Sequence, residues 1–431
     1  MDSAAVITRV FREEAGHVTA ALVRRFRDFD LAEESVQDAI VAALQHWPRE
    51  GVPERPGAWL TTVAARRALN RLHRARRLQS KLAELAIEPA PSGEDDRLRL
   101  ILCCCHPALP RDAQVGLTLR AVAGFTTAEV ARAFLAGESA VAQRLVRAKR
   151  RIASAGIPFR VPSEVELGER LAEVLAVLYL IFNEGHLATE GGLPAHRDLA
   201  DDATWLATLV CRLLPNQPEP AGLLALMKFH LARGDSRFTD DGEMVLLADQ
   251  DRSRWDRGLT LEAQELLERA ARQARPGPYQ VEAAIAACHA EAASFDKTDW
   301  RQIVALYDIL LVLEPSPVVR LNRAIALARV EGPEPALAEI DALEPSLSNY
   351  HLFHAARGEL LAAMAMEKEA RAARLRALEL TRNSAERALL SGRLFRSPSE
   401  PPAGDGAPAI PRPALPRSGR GARHAGRSPA R

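Results

Sequence analysis

Between Arg55 and Ala83 the sequence contains no acid, and Arg66, Arg67, Arg71, Arg74, Arg76, Arg77 and Lys81 crowd into that segment. About seventy residues later, Arg144, Arg147, Lys149, Arg150 and Arg151 form a second basic cluster. The formal net charge of the whole chain is only +1, so these cations are concentrated rather than spread. Closely spaced guanidinium and ammonium groups displace counterions from a polyanion, and both segments are suited to meet phosphate. A patch of opposite sign, Glu33, Glu34 and Asp38 with Gln37, suits a basic partner. The plain alternative for the patch is helix-dipole compensation and solvation. For the first basic segment it is a solvated face, but such faces normally mix both signs, and this one does not.

Helices must lie beneath these groups. Asp30 and Glu33 have the spacing of a capping box, which predicts a helix opening there. Val36, Ile40, Ala43, Leu44 and Trp47 follow as its inner stripe. Pro48, Gly51, Pro53, Pro56 and Gly57 predict a break and a stiff loop. The next helix is expected from near Trp59, with Leu60, Ala64, Ala68 and Leu72 inward and Thr62, Arg66, Asn70, Arg74 and Arg77 outward. Between Arg97 and Ile152, Thr126 and Glu129 form a second capping box, Gly137 marks a tight turn, and Val141 and Leu145 face inward. Two short helices across a Gly-containing turn have the spacing of a helix-turn-helix. On its last helix Ser139, Ala140, Gln143, Arg144 and Arg147 fall opposite Val141 and Leu145. Small residues early and Gln or Arg later suit entry into a major groove; the alternative is a helix hairpin with a basic surface.

Ala, Leu, Arg and Glu dominate, apolar residues make up 47% of the chain, and strand-type alternation is scarce. These features predict an all-α protein. With 431 residues there is room for two to four domains. The stretch Glu88 to Asp96 is a linker by composition. Long amphipathic helices are expected after Pro162. Leu-Glu-Pro-Ser recurs at Leu313 to Ser316 and Leu343 to Ser346, and Ala377 to Leu380 follows at a similar interval, which suggests a tetratricopeptide-like array. Beyond Ser397 a Pro-, Gly- and Arg-rich tail is expected to be disordered. The most apolar run, Leu171 to Phe182, contains Glu173 and is too short to span a bilayer. Five cysteines, three of them adjacent, make a poor disulfide framework and suit a reducing cytoplasm. Consecutive Cys103, Cys104 and Cys105 point about 100° apart on a helix and do not converge on one ion, so they are expected to be small buried residues and no metal is expected. Asn183, Glu184, Gly185, His186, His196 and Asp198 match no ligand or catalytic spacing.

The order of the acidic helix, the Pro-rich loop, the basic helix from Trp59, a linker and a basic helix-turn-helix resembles the extracytoplasmic-function sigma factors. The branch with a long C-terminal tetratricopeptide-like extension is the most similar, through Leu178 to Gly185, Asp249 to Asp256, Gly277 to Gln280 and Ser316 to Val319. The resemblance covers roughly residues 5 to 395. It implies that Glu33, Glu34, Gln37 and Asp38 dock on the clamp helices of RNA polymerase core enzyme. It implies that Trp59, Thr62, Arg66, Asn70, Arg71 and Arg74 engage the −10 promoter element, and that Thr127, Ser139, Ala140, Gln143, Arg144 and Arg147 read the −35 element. Asn70 stands where the family commonly has Asp, and His186 where it usually has Tyr.

These expectations divide the chain into sigma region 2 (1–86), a linker (87–96), sigma region 4 (97–157), a helical extension (158–275), tetratricopeptide-like repeats (276–395) and the tail (396–431). The extension is expected to pack on both sigma regions, with Asn183, Glu184, Gly185, Arg252 and Trp255 near the contact. Promoter DNA and core polymerase are the expected partners, and the repeats are left open to a protein or a small ligand. No enzyme chemistry, cofactor or membrane is called for. The alternative is a helical scaffold or ligand-sensing regulator with a vestigial DNA-binding part.

Overall fold

In the computed structural model the described residues are 3–77, 94–133, 136–186, 197–239, 244–381 and 387–391. Among them every regular element is helical, and pairing of strand type is confined to one isolated bridge, Phe238 to Met244. No helix among the described residues is long and apolar enough to cross a membrane. The tail and the linker up to Gly93 lie outside the described residues.

The chain forms two compact units. The first contains α1 (Ser3–Phe26), α2 (Phe29–Glu50), α3 (Pro56–Arg77), α4 (Glu94–Cys104), α5 (Arg111–Ala121), α6 (Thr127–Ala133) and α7 (Glu138–Ser154). It continues through α8 (Glu164–His186), α9 (Arg197–Leu213), α10 (Glu219–Ala232), α11 (Arg257–Ala271) and α12 (Pro278–Glu291). The second contains α13 (Trp300–Leu313), α14 (Pro317–Glu331), α15 (Pro333–Asp341), α16 (Glu344–Leu347), α17 (His351–Ala363) and α18 (Glu367–Leu380). The division falls after Asp299 rather than at residue 276, because α12 packs with α10 and α11.

Several boundaries differ from the sequence pattern, each for a local reason. Helix α2 is capped by Asp28, whose Oδ1 accepts from the Leu31 amide at 3.0 Å; Asp30 sits in the first turn. The helix runs through Pro48 to Glu50. The carbonyl that Pro48 leaves without a helical donor belongs to Leu44, which is exposed, so water can replace the lost bond. Gly51, at φ +86°, ends the helix instead. Helix α3 starts at Pro56, three residues before Trp59, and α4 takes in Asp96 from the expected linker. Asp96 is buried and pairs with Arg24 (2.8 Å) and Arg99 (2.9 Å).

One apolar core runs continuously through the first unit, from Val18 and Trp47 through Leu60, Leu100, Leu117 and Leu145 to Leu175, Leu206, Leu223 and Ala287. At about 1.5–3 kcal/mol for each fully buried large side chain, this shared core holds α1 to α12 together. Cys103, Cys104 and Cys105 are buried within it as free thiols. Burial pushes the Cys103 thiol up to about 12 and that of Cys105 up to about 11, which keeps them protonated and inert. Gly16 permits close approach of α1 to the end of α5: an added Cβ would lie 2.7 Å from the Val122 carbonyl oxygen.

In the second unit Leu321, Ile340, Leu343, Leu347 and Phe353 form the core, and Arg323 bridges Asp308 (2.6 Å) and Glu339 (2.8 Å). The two Leu-Glu-Pro-Ser segments fold differently. The first closes α13 at Leu313 and runs through a turn to Ser316, the cap of α14, whereas Leu343 of the second is buried and precedes α16.

Candidate nucleic-acid interface

On α2, Ala32, Val36, Ala39, Ala43 and Trp47 are buried, and the opposite face carries Glu34, Gln37, Asp38 and Val41, flanked by Leu44. Val41 and Leu44 are 54% and 48% exposed. Leu44 therefore belongs to the outer face, contrary to its expected place in the inner stripe. The acidic patch is divided between two tasks. Glu34 and Asp38 hold Arg71 of α3, with 2.8 Å to Asp38. Glu33 turns the other way, to Arg120 of α5 and Lys149 of α7 (2.9 Å to Lys149), and Asp30 also pairs with Lys149. Burial alone would lower the Lys149 pKa, but Asp30 and Glu33 outweigh it and raise it.

On α3, Leu60, Ala64 and Ala68 are buried, while Arg66 and Asn70 are exposed. Thr62 is half-buried and its hydroxyl donates to the Ala58 carbonyl (2.8 Å). Trp59 is half-buried, edge-on to Trp47 with ring centroids 5.3 Å apart, so its indole is packed. Arg71 is committed to α2, and the side chain of Arg74 lies outside the described residues. Among the described side chains of this helix, Arg66 and Arg67 are exposed and Arg71 is withdrawn into ion pairs.

In the helix-turn-helix, Glu129 accepts from the Thr126 amide (2.7 Å) and the Thr126 hydroxyl accepts from the Glu129 amide (3.1 Å), closing the expected box. Thr127 is half-buried at the start of α6. Gly137 caps α7 without a side-chain bond. Val141, Leu145, Ala148 and Ile152 anchor α7, leaving Ser139, Ala140, Gln143 and Arg147 exposed on one face. Arg144 is half-buried and pairs with Asp112 of α5 at 2.9 Å, a contact absent from the sequence pattern.

The extension meets the sigma regions at α4 and α5, through α8 and α9. Buried Arg97 of α4 donates to His17 Nε2 of α1 (2.8 Å) and lies 4.8 Å from the Trp205 ring of α9. Arg111 of α5 pairs with Glu173 of α8 (2.8 Å), and Arg170 donates to the Leu102 carbonyl. Asn183, Glu184 and Gly185 are at the far end of α8, about 15 Å along the helix from Glu173. Arg252 stacks on Trp255 (4.8 Å) and donates to carbonyls at the end of α12, within the extension. Partners 62 to 116 residues apart leave no periodic trace, so no local signal could have found these contacts.

Residues 10–78 match the family described as Sigma-70 region 2, and residues 99–152 match Sigma-70, region 4. Residues 170–271 match a family of unknown function (DUF6596). An uncharacterized protein of Rhizobium meliloti (strain 1021) is 44% identical over 394 residues, which cover 88% of this chain and 93% of that protein. No solved structure matches.

Proposed function

This chain belongs to the extracytoplasmic-function sigma factors, carrying sigma-70 regions 2 and 4 and then a helical extension, and we propose that the extension governs how the two regions meet polymerase and promoter. Sigma regions 2 and 4 bind RNA polymerase core enzyme and promoter DNA. The supporting observation is the ion-pair knot of Asp30 and Glu33 with Arg120 and Lys149. It joins region 2 to region 4 by charges that would otherwise face a partner, and the shared core behind it continues into α8 and α9. In this reading the chain rests closed, and engagement of core enzyme competes with the knot.

Within the open protein, Glu34, Gln37 and Asp38 face the polymerase, joined by Glu33 once it leaves Arg120. Arg66 and Asn70, with Thr62 beside them, face the −10 element, while packed Trp59 fixes the angle of α3. Thr127, Ser139, Ala140, Gln143 and Arg147 face the −35 element. Arg144 joins them on leaving Asp112.

The Lys149→Met variant tests closure. Loss of a partly buried ammonium shared by two carboxylates costs about 1–2 kcal/mol. Core-enzyme affinity in a titration should therefore rise roughly tenfold. A lowered melting temperature with unchanged core affinity would show that the knot is purely structural. For DNA, Gln143→Ala and Arg147→Ala should each lose about 1–3 kcal/mol of discrimination between −35 sequences. Arg66→Ala should instead weaken all promoters alike and reduce the salt dependence of binding. Uniform losses from all three substitutions would reject α7 as the base-reading helix.

A further inference from the structure

Two buried arginines and a half-buried one meet inside the extension, in a place that the sigma-factor function does not use. Arg233 follows α10, Arg237 comes one turn later, and Arg252 opens the turn Arg252–Arg254. Arg233 and Arg237 are 7% and 3% exposed. Each of the three serves a helix end. Arg237 donates to the His186 carbonyl that closes α8 (3.0 Å). Arg252 donates to the His289 and Ala292 carbonyls at the end of α12, at 2.8 Å for Ala292. Arg233 is the C-cap of α10 and donates to His230 Nδ1 (3.1 Å). A helix C-terminus carries about half a negative charge, so among the described residues these helix ends offset only part of the guanidinium charge. None of the three arginines forms an ion pair with a carboxylate among the described residues.

The surroundings add donors. Burial, followed by the charges of Arg237 and Arg252, pushes Arg233 down to about 9, and burial pushes Arg237 down to about 10. His186 and His230, with rings 5.4 Å apart, are held well below the usual histidine range by burial and by these cations, so both are neutral. Nη2 of Arg252, Nε1 of Trp255 and Nε2 of His186 are buried without a hydrogen-bond partner. Unmatched buried polar groups are rare, and here three nitrogens border one excess of positive charge.

We propose that the cluster of Arg233, Arg237 and Arg252, with Trp255 and His186, is a binding site for a phosphate group in the extension. A phosphate carries about −1.5 to −2 charges and three acceptor oxygens, which matches both the residual charge and the unmatched donors. A carboxylate brings one charge and two oxygens. The competing account is that the arginines do nothing but cap three helices.

Calorimetric titration of the whole chain with inorganic phosphate separates the two, with acetate as the carboxylate comparison and sodium chloride matching ionic strength. The site predicts saturable binding, about tenfold tighter for phosphate than for acetate. Trp255→Phe keeps the ring beneath Arg252 and His186→Phe keeps the stack on Phe182, so both should fold. Each should weaken phosphate by about tenfold through one lost contact to a charged group. Saturable binding left intact in both variants would place the anion elsewhere, at the DNA-facing helices, and overturn the site. Absence of saturable phosphate binding by the native chain would overturn it as well.

Discussion

A chain ending at Ile157 should lose its cooperative fold rather than merely its control. Leu167, Leu171, Val174, Leu175 and Leu178 of α8 are buried in the same core as Leu100, Ile101 and Leu117 of α4 and α5. Removing the extension returns the facing side of α4 and α5 to water. It also strips Arg97 of Trp205, Arg111 of Glu173, and the Leu102 carbonyl of Arg170. At about 1.5–3 kcal/mol per large apolar side chain, four or five such exposures match a domain's entire stability of about 5–15 kcal/mol. Thermal denaturation followed by circular dichroism and light scattering should show early, non-cooperative melting or aggregation, and run-off transcription with core polymerase should fall accordingly. If the shortened chain melts at the native temperature and transcribes as well as the whole, the extension is an independent module and intramolecular control is excluded.

The combined substitution Val41→Glu and Leu44→Glu should abolish capture of core polymerase while leaving the fold unchanged. Both side chains are about half exposed and lie along the α2 face that carries Glu34, Gln37 and Asp38. Apolar side chains at the centre of a docking face, ringed by polar groups, are where truncation costs about 2 kcal/mol or more each. Carboxylates in their place add desolvation, so a loss of at least about a hundredfold in affinity is expected. Melting temperature should move little, because neither residue touches the core. Undiminished pull-down of core enzyme would remove this face of α2 from the docking surface.

Helix periodicity made the all-α class legible, together with the inner stripes of α3 and α7, because residues three and four apart share a face whatever lies beyond them. The Thr126 and Glu129 box was legible for the same reason: both partners are within one turn. Cys103 to Cys105 could be assigned to the core because three consecutive helical positions cannot share one ion. Even locally, competition between alternatives decided some outcomes. Asp28 and not Asp30 caps α2, and Pro48 is tolerated where its missing bond faces water.

Charge placement was not legible. The acid-free run and the acidic patch mark where charge is concentrated, but not what each group faces. Arg71 and Lys149 belong to basic clusters and yet are bound to Glu34, Asp38, Asp30 and Glu33, while Arg144 is tied to Asp112. Leu313 and Leu343 open identical tetrapeptides, and only Leu343 enters a core, where Ile340 and Leu347 receive it. The sequence by itself determined the helices, their apolar faces and the segments able to meet phosphate, all of which follow from period and composition within a few turns. Tertiary structure alone decided which charges stay free, that the extension shares the core of the sigma regions, and that three arginines meet at three helix ends. Ion pairing and burial act between surfaces brought together across tens to hundreds of residues, and no local pattern records which surfaces those are.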